Sequence, residues 1–282
     1  MTVYVVSLQC IDRPGIVLAT STAIVGVDGN ILENDQFTDP VTSQFCMRTR
    51  FEADSDDLDA VRDRLVGALA PFDPELTIRR EDTRRRALVM VSQYDHCLAE
   101  LLYRRDSGDL PLDIVAIVSN HENCAALAAR HEVPFVHIPV TPDTKTRAEN
   151  DLRELLANWR VDFVILARYM QVLSERLCAD LAGRAINIHH SFLPGFKGAR
   201  PYHQAYERGV KLIGATAHFV TAELDEGPII DQDVVRVTHA RRPEDLVALG
   251  RDVERSVLAR AAHLLAEDRV ALVGQRTVVF SQ

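Results

Sequence analysis

The run Ala87-Leu88-Val89-Met90-Val91 constrains this chain more than any other feature, because five consecutive apolar residues without polar alternation describe a strand covered on both faces. Strands of that kind belong to parallel sheets, whose neighbours must be joined by long crossovers that are usually helices. The sequence downstream supplies the alternation. Helical spacing runs from Cys97 to Tyr103, a strand reads at Ile114 to Val118, a helix at Glu122 to Arg130, and a short strand near Phe135 to Ile138. A long amphipathic helix at Thr144 to Trp159 and strands at Phe163 to Leu166 and Ala185 to Ile188 continue the series. This pattern predicts a Rossmann-like, mostly parallel α/β domain over residues 87–282. Within it, Gly214 to Val220 and Ile229 to Val237 read as a hairpin around a loop holding Asp225. Pro243 to Leu265 reads as a helix, and Val270 to Val273 with Thr277 to Phe280 as a closing hairpin.

The chain's 282 residues exceed one ordinary core and leave room for a second domain. Residues 1–80 order as βαββαβ: strands at Val3 to Cys10, Ile31 to Phe37, Phe45 to Phe51 and Leu76 to Arg79, with helices ending near Val25 and spanning Asp57 to Leu69. That order predicts a ferredoxin-like sandwich, four strands with two helices on one face. The charged segment 81–86 reads as a solvated linker, because its acids and bases are interspersed. Pro14 suits a first helical turn, where its missing N–H is not needed, and Gly15 lets a ligand or neighbouring chain approach the backbone.

Charge and cysteine content exclude several functions. A net charge of -9 argues against a nucleic-acid partner, which needs clustered Lys and Arg. Cys10, Cys46, Cys97, Cys124 and Cys178 are odd in number and without a Cys-x-x-Cys pair, as expected of reduced thiols rather than disulfides or zinc ligands. The amino terminus lacks the basic flank and apolar core of a signal peptide, and no apolar run approaches a membrane span, so a cytoplasmic protein is expected.

Chemistry-bearing residues concentrate past the strand at Ala185 to Ile188. Asn187 and His189 stand where ligands of open α/β sheets bind, and His218 and Asp225 follow in a second polar cluster. An amide and an imidazole that donate to a carbonyl oxygen, with a carboxylate that moves a proton, suit attack on a small carbonyl carbon without a covalent intermediate. Taken singly, the same residues could cap a turn or lie on the surface, since short motifs are rarely specific.

The joint pattern Asn187-x-His189-x-Ser191-x-Leu193-Pro194, then His218 and Asp225, resembles the tetrahydrofolate-dependent formyltransferase superfamily. Within it, His189-His190-Ser191-Phe192-Leu193-Pro194 followed by Gly198-Ala199-Arg200-Pro201-Tyr202-His203 is most similar to the hydrolytic branch, the formyltetrahydrofolate deformylases. Many transferases carry Pro or Ala at the place of His190. The first domain, with Asp12-Arg13-Pro14-Gly15-Ile16 between strand and helix, likewise resembles the ACT regulatory domain.

The resemblance implies hydrolysis of 10-formyltetrahydrofolate to tetrahydrofolate and formate, with the formate feeding purine synthesis and balancing one-carbon pools. Asn187 and His189 would polarise the formyl oxygen and Asp225 would take the proton of water. His218 would position Asp225 or the water, and His190 would favour water over an amine. Met170, Gln171, Val172 and Leu173, with Ala222, Glu223 and Leu224, would hold the pterin. The folate is the substrate, and neither a further cofactor nor a metal is implied. The ACT likeness implies a homo-oligomer, dimer or tetramer, and an amino-acid effector at Asp12, Pro14, Gly15, Ile16, Gly29 and Asn30. Where related transferases of a phosphorylated acceptor carry a glycine-containing loop, this chain has Ser92-Gln93-Tyr94-Asp95-His96, without glycine. Transfer to an unphosphorylated amine, a zinc hydrolase using the histidines and Asp225, and an amino-acid sensor with an inert second domain stay open.

Overall fold

The first helix of the chain starts where a glycine allows it to. Gly15 stands at its N-cap in a left-handed conformation, φ 105°, which a side chain would strain. Pro14 therefore lies ahead of the helix and not in its first turn. The computed structural model describes residues 1–195 and 201–280. They fall into two units, Met1–Arg84 with Glu267–Gln282, and Arg85–Ala266.

In the first unit the elements are β1 (Thr2–Ile11), α1 (Ile16–Val25), β2 (Asn30–Thr38), β3 (Gln44–Ala53), α2 (Leu58–Leu69) and β4 (Glu75–Arg80). The strands pair antiparallel in the order β2-β3-β1-β4, the βαββαβ arrangement expected. Alternate residues of β1 and β3, among them Val6, Leu8, Met47 and Phe51, pack on Ile16 and Ile24 of α1 and on Val61, Leu65 and Leu69 of α2. Asp57 caps α2 by accepting from the N–H groups of Asp59 and Ala60. Two of the residues expected at an effector site serve this packing. Ile16 is buried in the core, and a Cβ on Gly29 would lie 2.8 Å from the Ile24 carbonyl oxygen. Asp12, Pro14, Gly15 and Asn30 are exposed.

The second unit runs β5 (Arg85–Val91), α3 (His96–Ser107), β6 (Leu112–Ser119), α4 (Ala125–Arg130), β7 (Phe135–His137), α5 (Lys145–Asn158) and β8 (Phe163–Leu166). It continues α6 (Glu175–Asp180), β9 (Ala185–His189), α7 (Pro201–Glu207), β10 (Leu212–Phe219), β11 (Ile229–Arg236) and α8 (Pro243–Ala266). The sheet order is β11-β10-β9-β8-β5-β6-β7, parallel from β9 through β7 and antiparallel at β10 and β11. Ala87 to Val91 and all of β8 are buried, as strands with helices on both faces should be. The winding reverses between β5 and β8, which opens a crevice beyond their carboxyl ends. There Ser92 Oγ accepts from the Met170 N–H at 2.9 Å and lies 2.6 Å from Asn120 Oδ1, so one hydroxyl ties three strand ends.

Two boundaries differ from the sequence reading. Arg85 and Arg86 already belong to β5, the Arg86 N–H donating to the Asp162 carboxylate at 2.7 Å, so the link shrinks to residues 81–84. The closing hairpin, β12 (Val270–Val273) and β13 (Arg276–Val279), belongs to the first unit and not to the second. Ala271, Val273 and Phe280 cover Cys46, and ion pairs do the rest. Arg269 meets Glu33 at 2.9 Å, Arg79 meets Asp268 at 2.5 Å, and Arg276 meets Asp39 at 2.6 Å. Arg48, its side chain 3% exposed, donates to the Glu267 carbonyl at 2.9 Å.

Ending the chain at Ala266 should therefore destabilise the first unit. The truncation strips the cover from Cys46 and removes an ion-pair partner from each of Glu33, Arg79 and Asp39 at once. Hydrogen exchange should show β2 and β3 opening at least tenfold more often than in the full chain, and unchanged protection there would contradict the assignment of the hairpin.

Candidate active site

Residues two apart on a strand share a face, so Asn187 and His189 project together from β9, as Thr216 and His218 do from β10. The antiparallel register sets His218 opposite Asn187 and Thr216 opposite His189. His218 Nδ1 lies 2.8 Å from the Phe219 carbonyl oxygen. A carbonyl only accepts, so Nδ1 carries the proton and Nε2 offers its lone pair. Asn187 Nδ2 donates to that lone pair at 3.3 Å, which fixes the amide's orientation. Burial pushes the His218 pKa down, outweighing the opposing pull of the Phe219 carbonyl and of Asp225, so the ring stays neutral.

Asp225 enters from the loop between β10 and β11, in a left-handed conformation with φ 59°. Its Oδ1 is 3.1 Å from His189 Nδ1 and 3.9 Å from His218 Nε2. The first is a hydrogen bond and the second is not. His218 accordingly holds Asn187, whereas the sequence reading had it positioning Asp225 or the water. Burial works to raise the Asp225 pKa, but the hydrogen bond from His189 and the nearby imidazoles outweigh it and hold the carboxyl below its ordinary value. Asp225 is thus charged. His189 Nε2, the far nitrogen of the same ring, is buried without a hydrogen-bond partner. A buried polar atom in a native protein ordinarily has a partner, and a ligand atom would supply one here.

Asn187, His218 and Asp225 line one cavity together with Gln171, Val172 and Leu173 from the segment after β8. Ala222, Glu223 and Leu224, just ahead of Asp225, close its other side. Met170, grouped with these residues in the sequence reading, lines a different cavity. Its N–H is tied to Ser92 just past a left-handed turn at Arg168, φ 64°, and its side chain lies opposite.

That second cavity is walled by His190 and by side chains the sequence reading missed. Glu254 of α8, 1% exposed, accepts from Tyr202 at 2.7 Å and from His96 Nε2 at 2.8 Å, and pairs with Arg168 at 3.3 Å. Burial tends to raise its pKa, yet these partners bring it below the ordinary carboxylate range. One signal was available. Glu254 sits on the stripe of α8 that buries Gly250, Val257, Leu258 and Ala261, where a charge requires a partner. His96, Cys97 and Glu254 also have the side-chain types of a metal site. The donor set opposes one: burial keeps the Cys97 thiol protonated, and the Arg168 cation already occupies the Glu254 carboxylate. Gly198, Ala199 and Arg200, quoted in the resemblance, lie outside the described residues.

Burial first, then the Arg168 charge, pushes the His190 pKa down to about 3, against the pull of Glu254. The unfolded chain takes up that proton near pH 6.5 and the folded chain does not. Stability contributed by neutral His190 is therefore complete above about pH 6.5 and is lost as pH falls toward 3. In urea unfolding followed from pH 6 to 4, His190→Gln should flatten the decline by up to ~1.4 kcal/mol per pH unit. An unaltered slope would mean that His190 does not remain neutral.

Residues 85–262 match the family model described as formyl transferase. The chain is 48% identical to the formyltetrahydrofolate deformylase of Corynebacterium sp. (strain P-1), over 98% of this chain and 97% of that one. The crystal structure of the formyltetrahydrofolate deformylase from Burkholderia mallei ATCC 23344 superposes with a TM-score of 0.96 at 49% identity, covering 100% of both chains. Glycinamide ribonucleotide transformylase 1 from Symbiobacterium toebii superposes with a TM-score of 0.66 at 33% identity, covering 70% of this chain and 94% of its own. Among the described residues, no helix is long and apolar enough to cross a membrane.

Proposed function

The chain belongs to the formyltetrahydrofolate deformylases within the formyl transferase family, enzymes that hydrolyse formyltetrahydrofolate, and we propose that Asn187, His189 and Asp225 carry out that hydrolysis here. The observation that carries the assignment is the His189–Asp225 contact at 3.1 Å with His189 Nε2 left buried and unpartnered beside it. Asn187 and His189, its ring held in place by Asp225 at 3.1 Å, polarise the formyl oxygen and stabilise the charge that grows on it. Asp225 takes the proton of the attacking water and returns it to the departing folate nitrogen. A carboxylate below its usual pKa is a weak base in the resting site; negative charge growing on the formyl oxygen raises its proton affinity when the proton moves. The pterin lies against Gln171 to Leu173 and Ala222 to Leu224, where a flat heterocycle meets apolar walls and main-chain polar groups.

Hydrolysis rather than transfer is supported by the ring of His190, which stands 5.2 Å from that of His189 and 6.1 Å from that of Tyr202 and so fills space beside the proposed catalytic residues. The test is the purified chain with 10-formyltetrahydrofolate and no acceptor. Stoichiometric formate supports hydrolysis, and release that begins only when an amine is added supports transfer. The formate would serve purine synthesis. The first unit would act as an ACT module that binds an amino acid and joins copies of the chain in pairs or fours, a reading supported by exposed Val17, Leu18 and Val25 on α1 and Phe37 on β2. Because its hairpin comes from the end of the sequence, calorimetry with amino acids belongs on the whole chain; no heat with any of them would rule the effector out.

A further inference from the structure

We propose that the cavity behind His190 is a binding site for a small monocarboxylate, which in the hydrolytic reading above is the formate just released. Two guanidinium groups face it. Arg168, with its side chain 10% exposed, points Nε at Glu254 at 3.3 Å and has Nη1 buried without a hydrogen-bond acceptor. Arg251, one turn before Glu254 on α8, lines the same cavity. Its guanidinium carbon is 5.4 Å from the Tyr94 ring centroid, and that of Arg168 is 5.5 Å from the same centroid. Arg251 has no carboxylate partner among the described residues. The acid present, Glu254, is already saturated, its oxygens taken by Tyr202, His96 and Arg168. His190 on the opposite wall is neutral.

Among the described lining residues, two guanidinium charges against one carboxylate leave one positive charge, with spare N–H donors beside a stacked tyrosine. A carboxylate is the group a guanidinium fork fits best. A phosphate dianion would overshoot that charge, and the segment Ser92 to Asp95 has no glycine to bring backbone N–H groups to it. The cavity also lies next to the chemistry, since His190 lines it and stands 5.2 Å, ring centre to ring centre, from His189. Folate would then leave by the cavity of Asn187 and Asp225 while formate leaves by this one.

The test is titration of the whole protein, free of folate, with ¹³C-labelled sodium formate, followed by the line width of the formate resonance. Arg251→Gln changes an exposed side chain and should weaken formate binding at least tenfold, with the same fold-change in formate product inhibition. Inhibition by tetrahydrofolate should move less than twofold. Formate bound equally by both proteins, or displaced by tetrahydrofolate from the other cavity, overturns the proposal. Arg251-dependent formate binding in a protein that releases no formate from 10-formyltetrahydrofolate would sink the hydrolytic reading and leave the anion site standing.

Discussion

Asp225→Asn should reduce formate release by ~10³-fold, within the range by which a positioned acid or base accelerates a reaction. The substitution isolates chemistry from structure better than alanine would. Asp225 sits at φ 59°, where asparagine is at home and alanine is strained. An Asn amide oxygen can still accept from His189 Nδ1, so the 3.1 Å contact and the ring orientation survive. What disappears is the negative charge, and with it the acceptor proposed for the water proton. Single-turnover formate release measures the loss, and tetrahydrofolate affinity within a few-fold of the original shows that the cavity is intact. A rate within tenfold of the unaltered enzyme would remove Asp225 from proton transfer.

The parts of this site that lie close together on one strand could be read in advance. Asn187 and His189 announce a shared face by their spacing, and the apolar run before them places that face at a strand end. Strand periodicity likewise fixes both sheets, because burial on one or two faces leaves its mark on each residue. The hairpin at Val270 to Val279 shows what periodicity omits: alternation identifies the strands but carries no address for the unit they join. That address is written in single charges, Arg48, Asp268 and Arg269, each unremarkable in the sequence. The same holds for Glu254, whose hydrogen-bonding partner His96 is 158 positions away. Met170 lines the other cavity for a local reason, since one left-handed residue, Arg168, redirects the chain after β8 and no glycine advertises the turn. His218 was placed correctly on its strand, but which polar neighbour it serves depends on the tautomer that the Phe219 carbonyl imposes.

The sequence Asp225-Glu226-Gly227-Pro228 contains a second point of control, and Gly227→Ala should cost at least ~10²-fold in turnover without unfolding the sheet. A Cβ on Gly227 would lie 1.7 Å from the carbonyl oxygen of Phe219 and 3.2 Å from His218 Nδ1. No side-chain rotation relieves a clash with backbone. Phe219 cannot yield readily, being paired with Ile186 of β9 and donating its N–H to Pro228 at 2.9 Å. The loop must move instead, and it carries Asp225 two residues earlier. A shift of ~1 Å breaks the contact with His189, and misplacement on that scale is enough for a ~10²-fold loss. Because Ala222 to Leu224 travel with the loop, tetrahydrofolate affinity should fall as well, which Asp225→Asn does not produce. Gly67→Ala on the exposed face of α2, where a Cβ meets nothing within 4 Å, is the matched control and should be neutral or stabilise by ~0.4–1 kcal/mol. Retained turnover in Gly227→Ala would mean that the position of Asp225 relative to His189 does not limit the reaction, and the proton-transfer assignment would fall with it.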